Sequence, residues 1–279
     1  EENQRVVVSQ SGPRKLRVGA VSYLNTKPLI YRFDEWAPDA ELVLDLPSRL
    51  ADRLARSDLD VALVPVIECF QHTGYSIVSD ACIACRGPVL SVKLLSRVPI
   101  DQIRSLALDE GSRTSVALVQ ILLRRRFGLT PTLLPLPIGN GPADVAADGV
   151  LVIGDRAIHA SRDAFPAAWD LGAEWCSAMG LPFVFAVWAA RPGIDTRRMA
   201  AALSRIRDAA LDHLDQIAAQ AGPAVNLAVA ACLSYFRDNL YFYLGPREQQ
   251  GLQLFLQQAA DRGLVPRPSP SGLLRLNVS

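Results

Sequence analysis

Ser105-Leu-Ala-Leu-Asp-Glu-Gly-Ser-Arg-Thr-Ser-Val-Ala-Leu-Val-Gln-Ile-Leu-Leu-Arg-Arg-Arg-Phe-Gly128 reads as a strand, a turn and a helix. Leu106 to Leu108 form a short apolar strand, and Glu110-Gly111 turn the chain. Ser112 or Thr114 caps a helix whose apolar face carries Val116, Leu118, Val119, Leu122 and Leu123. Arg124 to Arg126 fill its last turn and Gly128 stops it, which suits the helix dipole. At the other end, backbone N–H groups, the hydroxyls of Ser112, Thr114 and Ser115 and the guanidinium of Arg113 converge. Such a start can hold a carboxylate or phosphate. The plainer reading is an ordinary cap with Arg113 in solvent.

Working outward, strands alternate with helices on both sides of this stretch. Leu16–Val21 is a strand running into Ser22-Tyr23-Leu24-Asn25-Thr26-Lys27-Pro28, a polar loop of the kind that binds ligands in open α/β sheets. Glu41–Leu46 and Leu59–Val64 are further strands, with a helix opened by Pro47-Ser48 between them. Ile77–Cys85 and the run around Ser91 are joined through Gly87-Pro88 and look like a passage between two lobes. Val150–Ile153 ends in Gly154-Asp155, and Phe183–Ala189 reads as the return crossing. After Pro192 the chain is expected to be helical to its Pro-rich tail, 263–279.

Parallel α/β pairing with two crossings predicts a two-lobed clamshell with its ligand in the cleft. The expected lobes are 14–92 plus 189–279, and 93–188, with 1–13 a disordered leader. A chain of 279 residues accommodates two such lobes. Its net charge of +1 argues against a nucleic-acid partner. Its longest apolar run, Leu181–Ala190, is too short for a bilayer and has a proline at its second position. Five irregularly spaced cysteines point to a reducing compartment. Cys82-Ile-Ala-Cys85 has no second Cys or His pair to complete a metal site.

Six stretches in order carry a resemblance. They are Val21-Ser-Tyr-Leu-Asn-Thr-Lys-Pro-Leu29, Asp60-Val-Ala-Leu-Val-Pro-Val66, Gly87-Pro-Val-Leu-Ser-Val92, Ser112-Arg-Thr-Ser115, Ile153-Gly-Asp155 and Leu181-Pro-Phe-Val-Phe-Ala-Val-Trp188. Together they resemble the chorismate dehydratase family of menaquinone biosynthesis (the MqnA type, of the futalosine route), from about Arg17 to about Val265. The resemblance implies the type 2 periplasmic-binding-protein fold and a cytoplasmic lyase. It implies loss of water from chorismate to give 3-[(1-carboxyvinyl)oxy]benzoate, with no metal or organic cofactor and no membrane partner. A homodimer is compatible with it. Lys27 stands where arginine is expected, so the charge is kept and the bidentate fork is lost.

On this reading Asn25 and Ser91 are the catalytic candidates, reaching the ligand from the first lobe. Ser22, Tyr23, Lys27, Ser112, Arg113, Thr114, Ser115, Gly154 and Asp155 form the binding set, Asp155 having the plainer reading of a turn or cap. Asp109, Asp155 and Glu68 are carboxylates near the expected cleft, but a dianionic substrate repels them as bases. His72, His159 and His213 fall outside the motifs. The substrate's own enolpyruvyl carboxylate is therefore the expected base. The competing readings are the sister 1,4-dihydroxy-6-naphthoate synthase type, a non-catalytic solute-binding protein for an organic anion, and a ligand-sensing module.

Overall fold

The computed structural model describes residues 14–72, 74–160 and 163–267. The expected leader, 1–13, and the last twelve residues of the tail lie outside them.

Among the described residues, eleven strands form two sheets. β1 (Leu16–Val21), β2 (Ala40–Asp45), β3 (Val61–Pro65), β4 (Ser76–Cys85), β10 (Phe183–Ala190) and β11 (Tyr241–Tyr243) make one, in the order β11-β4-β10-β3-β1-β2. β5 (Val92–Ser96), β6 (Ser105–Asp109), β7 (Thr132–Leu136), β8 (Gly149–Ile153) and β9 (Ala167–Asp170) make the other, in the order β7-β6-β8-β5-β9. β1 pairs parallel with β2 and β3, while β10 runs antiparallel between β3 and β4. In the second sheet β6 pairs parallel with β7 and β8, and β5 runs antiparallel between β8 and β9. Both sheets therefore have one plan: the strand that arrives from the other lobe is inserted antiparallel among parallel ones.

The sequence explains the packing. β3, β8 and β10 are buried along their whole length, as strands covered on both faces must be. In the second sheet the pleat sends alternate residues to different cores. Leu94, Leu106, Leu151 and Ile153 join the main core, while Leu95, Ala107, Val150 and Val152 join a smaller one on the far face.

Three expectations are corrected. The second crossing precedes Phe183 rather than coinciding with the Phe183–Ala189 strand, because β10 pairs with β4 of the first sheet from Phe183 and with β3 from Ala186. A fully apolar strand looks the same in either lobe, so its sequence does not reveal its sheet. The C-terminal third is not wholly helical: Tyr241–Tyr243 adds an edge strand to β4. The helical stretch expected after Pro192 is broken at Asp212–His213, giving Arg197–Leu211 and Leu214–Ala224.

Candidate active site

The parallel strands of both sheets end at a shared hollow. Its cavity volume is about 50 Å³, and it opens to solvent. Its walls come from the ends of β1, β3 and β8, the helix start at Ser112, and the crossing before β5. This is where open α/β sheets place their ligands.

Seven of the eleven predicted site residues line it: Tyr23, Asn25, Ser91, Ser112, Thr114, Ser115 and Gly154. The apolar side is Val21, Ile83, Val89 and Phe185 with two prolines, Pro47 and Pro65. Among the described residues no charged side chain lines the hollow.

The polar groups are arranged as donors. Ser112 caps the helix Arg113–Phe127 by accepting from the Ser115 N–H at 3.2 Å. The Thr114 hydroxyl accepts from the Ile67 N–H at 3.3 Å, across from the first lobe. A hydroxyl that has accepted still has its hydrogen to give. The Asn25 amide oxygen accepts from the Thr26 hydroxyl at 3.2 Å, so the NH₂ is the amide's remaining donor at a residue that lines the hollow. Tyr23 is a further donor, its ionisation pushed up to about 12 by burial and by the nearby Asp109 carboxylate. With the helix dipole behind Ser112, such a cage suits an anion and carries no charge of its own.

Gly154 makes a different contribution from the one expected. Its φ is +69°, and a Cβ there would lie 2.8 Å from three atoms of the Tyr23 ring. Only glycine lets a side chain of the first lobe lie flat on the backbone of the second.

Four predicted residues are placed elsewhere. Ser22 is exposed, its N–H spent on Asp45. Arg113 turns away from the hollow and pairs with Asp52 at 2.6 Å and Glu68 at 3.1 Å, both on the first lobe. Glu68 is fully buried and needs a cation, which outcompetes a ligand for the guanidinium. Asp155 reaches back to the first lobe, accepting the Leu24 N–H at 2.9 Å. Burial raises its pKa, while that N–H and the field of Lys27 act to lower it. Lys27 is absent from the lining of the hollow, and its charge acts on Asp155 only through its field.

The candidate bases are also accounted for. Asp109 accepts from the N–H groups of Gly111 and Ile153 and from the Arg156 guanidinium, so its lone pairs are committed. His159 meets the Val225 carbonyl at 2.7 Å, and His213 the Ala209 carbonyl at 2.7 Å. His72 sits 3.4 Å from Glu68. None of the three lines the hollow.

Sequence reasoning missed Phe185 and Tyr235. Phe185 lies within the Leu181–Trp188 motif and faces the hollow, so a signal for it was there. Tyr235, buried at the start of the π-helical turn Tyr235–Asn239, has its ionisation pushed up by burial, with the nearby Ser91 side chain acting against that rise. Nothing in its neighbourhood of sequence marks it. The five cysteines are free thiols, and among the described residues no cluster of His, Cys, Asp or Glu fits a metal ion. No helix there is long and apolar enough to cross a membrane.

Comparison with known proteins agrees with this fold. A chorismate dehydratase of Thermus thermophilus is 29% identical over 231 residues, covering 76% of this chain and 84% of that protein. Among solved structures, protein AF1704 of Archaeoglobus fulgidus superposes with a TM-score of 0.75 at 15% identity, over 90% of this chain and 99% of that one. The periplasmic aliphatic sulphonate binding protein SsuA of Escherichia coli gives 0.63 at 14%, over 96% and 95%. These two show the shared clamshell fold. The family model described as menaquinone biosynthesis matches residues 16–261, nearly the span expected from the six motifs, and the chain belongs to that family.

Proposed function

We propose that the protein is a chorismate dehydratase, removing water from chorismate to give 3-[(1-carboxyvinyl)oxy]benzoate in the cytoplasm. Family membership and the Thermus thermophilus relative support the reading. The observation that carries it is the hollow's chemistry: Asn25, Ser112, Thr114 and Ser115 offer hydrogens to an anion, with no charged side chain among them.

Loss of water aromatises the ring, so the reaction needs positioning more than force. As the ring C–H bond breaks ahead of hydroxide departure, negative charge spreads onto the ring carboxylate. Donors at the Ser112 helix start then bind the transition state more tightly than the ground state. Asn25 hydrogen-bonds the departing hydroxyl without bringing charge into the hollow. Ser91 holds the substrate from the opposite side. The enolpyruvyl carboxylate of the substrate takes the proton, consistent with the commitments of Asp109, Asp155 and the three histidines.

The test is to mix the purified protein with chorismate and follow the benzoate chromophore. Binding without turnover moves the protein to a carrier or sensor of organic anions. Replacing His72, His159 and Asp155 singly locates the base. A loss beyond ~10⁴-fold in one of them, with binding intact, puts it on the protein.

A further inference from the structure

Ser91 is presented to the hollow by an unusual piece of backbone. Its N–H bonds to the Val89 carbonyl at 2.7 Å, closing a three-residue turn around Leu90, whose φ is +60°. A γ-turn with positive φ at its centre is rare and strained, and Leu is a poor residue for it. Such strain persists only where the surroundings over-determine it.

The surroundings here are one carboxylate. Asp170, at the end of β9, accepts the Val89 N–H through Oδ1 at 2.9 Å and the Leu90 N–H through Oδ2 at 2.7 Å. Its Oδ1 also accepts from the Ala173 N–H at 3.0 Å, capping the helix Leu171–Met179. The cap needs only one oxygen, so a helix-starting role leaves the bond to Leu90 unexplained. The helix start lies directly on the first crossing: a Cβ on Gly172 would come within 2.7 Å of Cys85 Sγ and of the Gly87 carbonyl. Asp170 therefore ties the first crossing between the lobes to the beginning of the second. On the far side of the turn the Ser91 carbonyl accepts the Gly154 N–H at 2.9 Å, so the turn is held from both ends.

We propose that Asp170 is a positioning residue: its two oxygens hold the strained Val89–Ser91 turn and thereby set the Ser91 hydroxyl, which rests 3.4 Å from the Val89 carbonyl of that turn, at the wall of the hollow. The proposal rests on reading that hollow as the substrate site.

Asp170→Asn is the selective variant. Asparagine is a good helix cap and keeps one oxygen for Ala173 and Val89, but it turns an NH₂ toward the Leu90 N–H. The expected result is a ~10- to 100-fold fall in kcat with KM changed less than ~3-fold, since a hydroxyl displaced by about an ångström disturbs the reaction more than binding. Hydrogen exchange at the Leu90 amide, slow in the wild type, is expected to quicken in the variant. Leu90→Gly supplies the rescue. Glycine takes positive φ without strain, so D170N/L90G is expected to recover at least ~5-fold in kcat over D170N, which a general loss of stability would not allow. Unchanged kcat in D170N overturns the proposal. So does a loss that L90G leaves in place. If the wild type leaves chorismate untouched, the reading of the hollow fails instead. Unaltered Leu90 exchange in D170N would then reject the clamp on its own account.

Discussion

β1 and β6 hold the same place in their sheets, second from the edge beyond their parallel partner, and each runs into a helix start at the cleft. The two starts are finished in opposite ways. The one at Ser112 is capped by its own serine, so the Ser112 hydroxyl is set whether or not the lobes meet, while that of Thr114 also meets the Ile67 N–H of the first lobe. The one at Leu24 belongs to a short 3₁₀ turn without a side-chain cap of its own, and its N–H is met by Asp155 of the other lobe. One start is a preformed grip. The other is completed only when the clamshell is shut, and Arg113 holding Asp52 and Glu68 belongs to the same closing set. At the Ser112 start the cation, Arg113, lies off the hollow and joins the lobes instead.

The largest effect should come from breaking the neutrality of the cage. Asn25→Asp exchanges a donor for a carboxylate facing a dianion, where no cation lines the wall. Losing the donor and adding like-charge repulsion in a partly dry cleft should lower kcat/KM by ~10³-fold or more, about 4 kcal/mol. Steady-state kinetics beside a thermal melt checks this. Near-normal turnover would mean that the first-lobe turn contributes only shape.

Next comes the latch. Arg113→Met leaves the buried Glu68 without its guanidinium, and removing one partner of a buried pair is costly. The arginine is itself 36% exposed, so solvent screening holds the expected loss to about 1–2 kcal/mol. KM should rise with kcat almost unchanged, since closure and not chemistry is affected. R113M/E68Q should regain much of the melting temperature. A kcat collapse in R113M would return Arg113 to the substrate, where its place in the motif puts it.

That misplacement shows what the sequence could and could not say. Ser112, Thr114 and Ser115 were legible because capping is local: the acceptor and the N–H it serves lie within one turn. Arg113 stands in the same four residues, but its partners are Asp52 and Glu68, distant in sequence and close only after both sheets have formed. Asp155 failed in the same way, its partner being Leu24. The strand alternation and the clamshell were readable because each βα unit declares itself. The sheet to which β10 belongs was not, since all eight of its residues are buried and period alone does not name a neighbour.

Within the preformed start, two neighbouring serines should part company. Ser112→Ala removes the cap and should cost ~1 kcal/mol of stability, read as a lower melting temperature in the ligand-free protein. Ser115 spends its N–H on that cap, while its hydroxyl faces the hollow. Ser115→Ala should leave the ligand-free melt alone and weaken chorismate binding by ~1 kcal/mol, measured by calorimetry. If both variants move both readouts equally, the grip is not preformed and the contrast between the two starts is lost.

The smallest effect separates geometry from charge at the trans-capped start. Burial raises the Asp155 pKa, and the Leu24 N–H and Lys27 only partly offset it. A carboxyl with a raised folded pKa binds its proton more tightly in the folded chain than in the unfolded one. Its contribution to stability is therefore present at low pH and lost as pH rises through the folded value. An asparagine in its place would offer Leu24 the same oxygen at every pH and never carry the charge, so D155N should melt with the wild type below the ordinary carboxylate pKa of about 4. Toward neutral pH it should melt slightly higher, by a few tenths of a kcal/mol at most, because Asp155 is only partly buried. A variant that melts lower at neutral pH would show that the ionised carboxylate is what draws the lobes together. The first-lobe start would then depend on its partner's charge, whereas the Ser112 cap is made within its own turn.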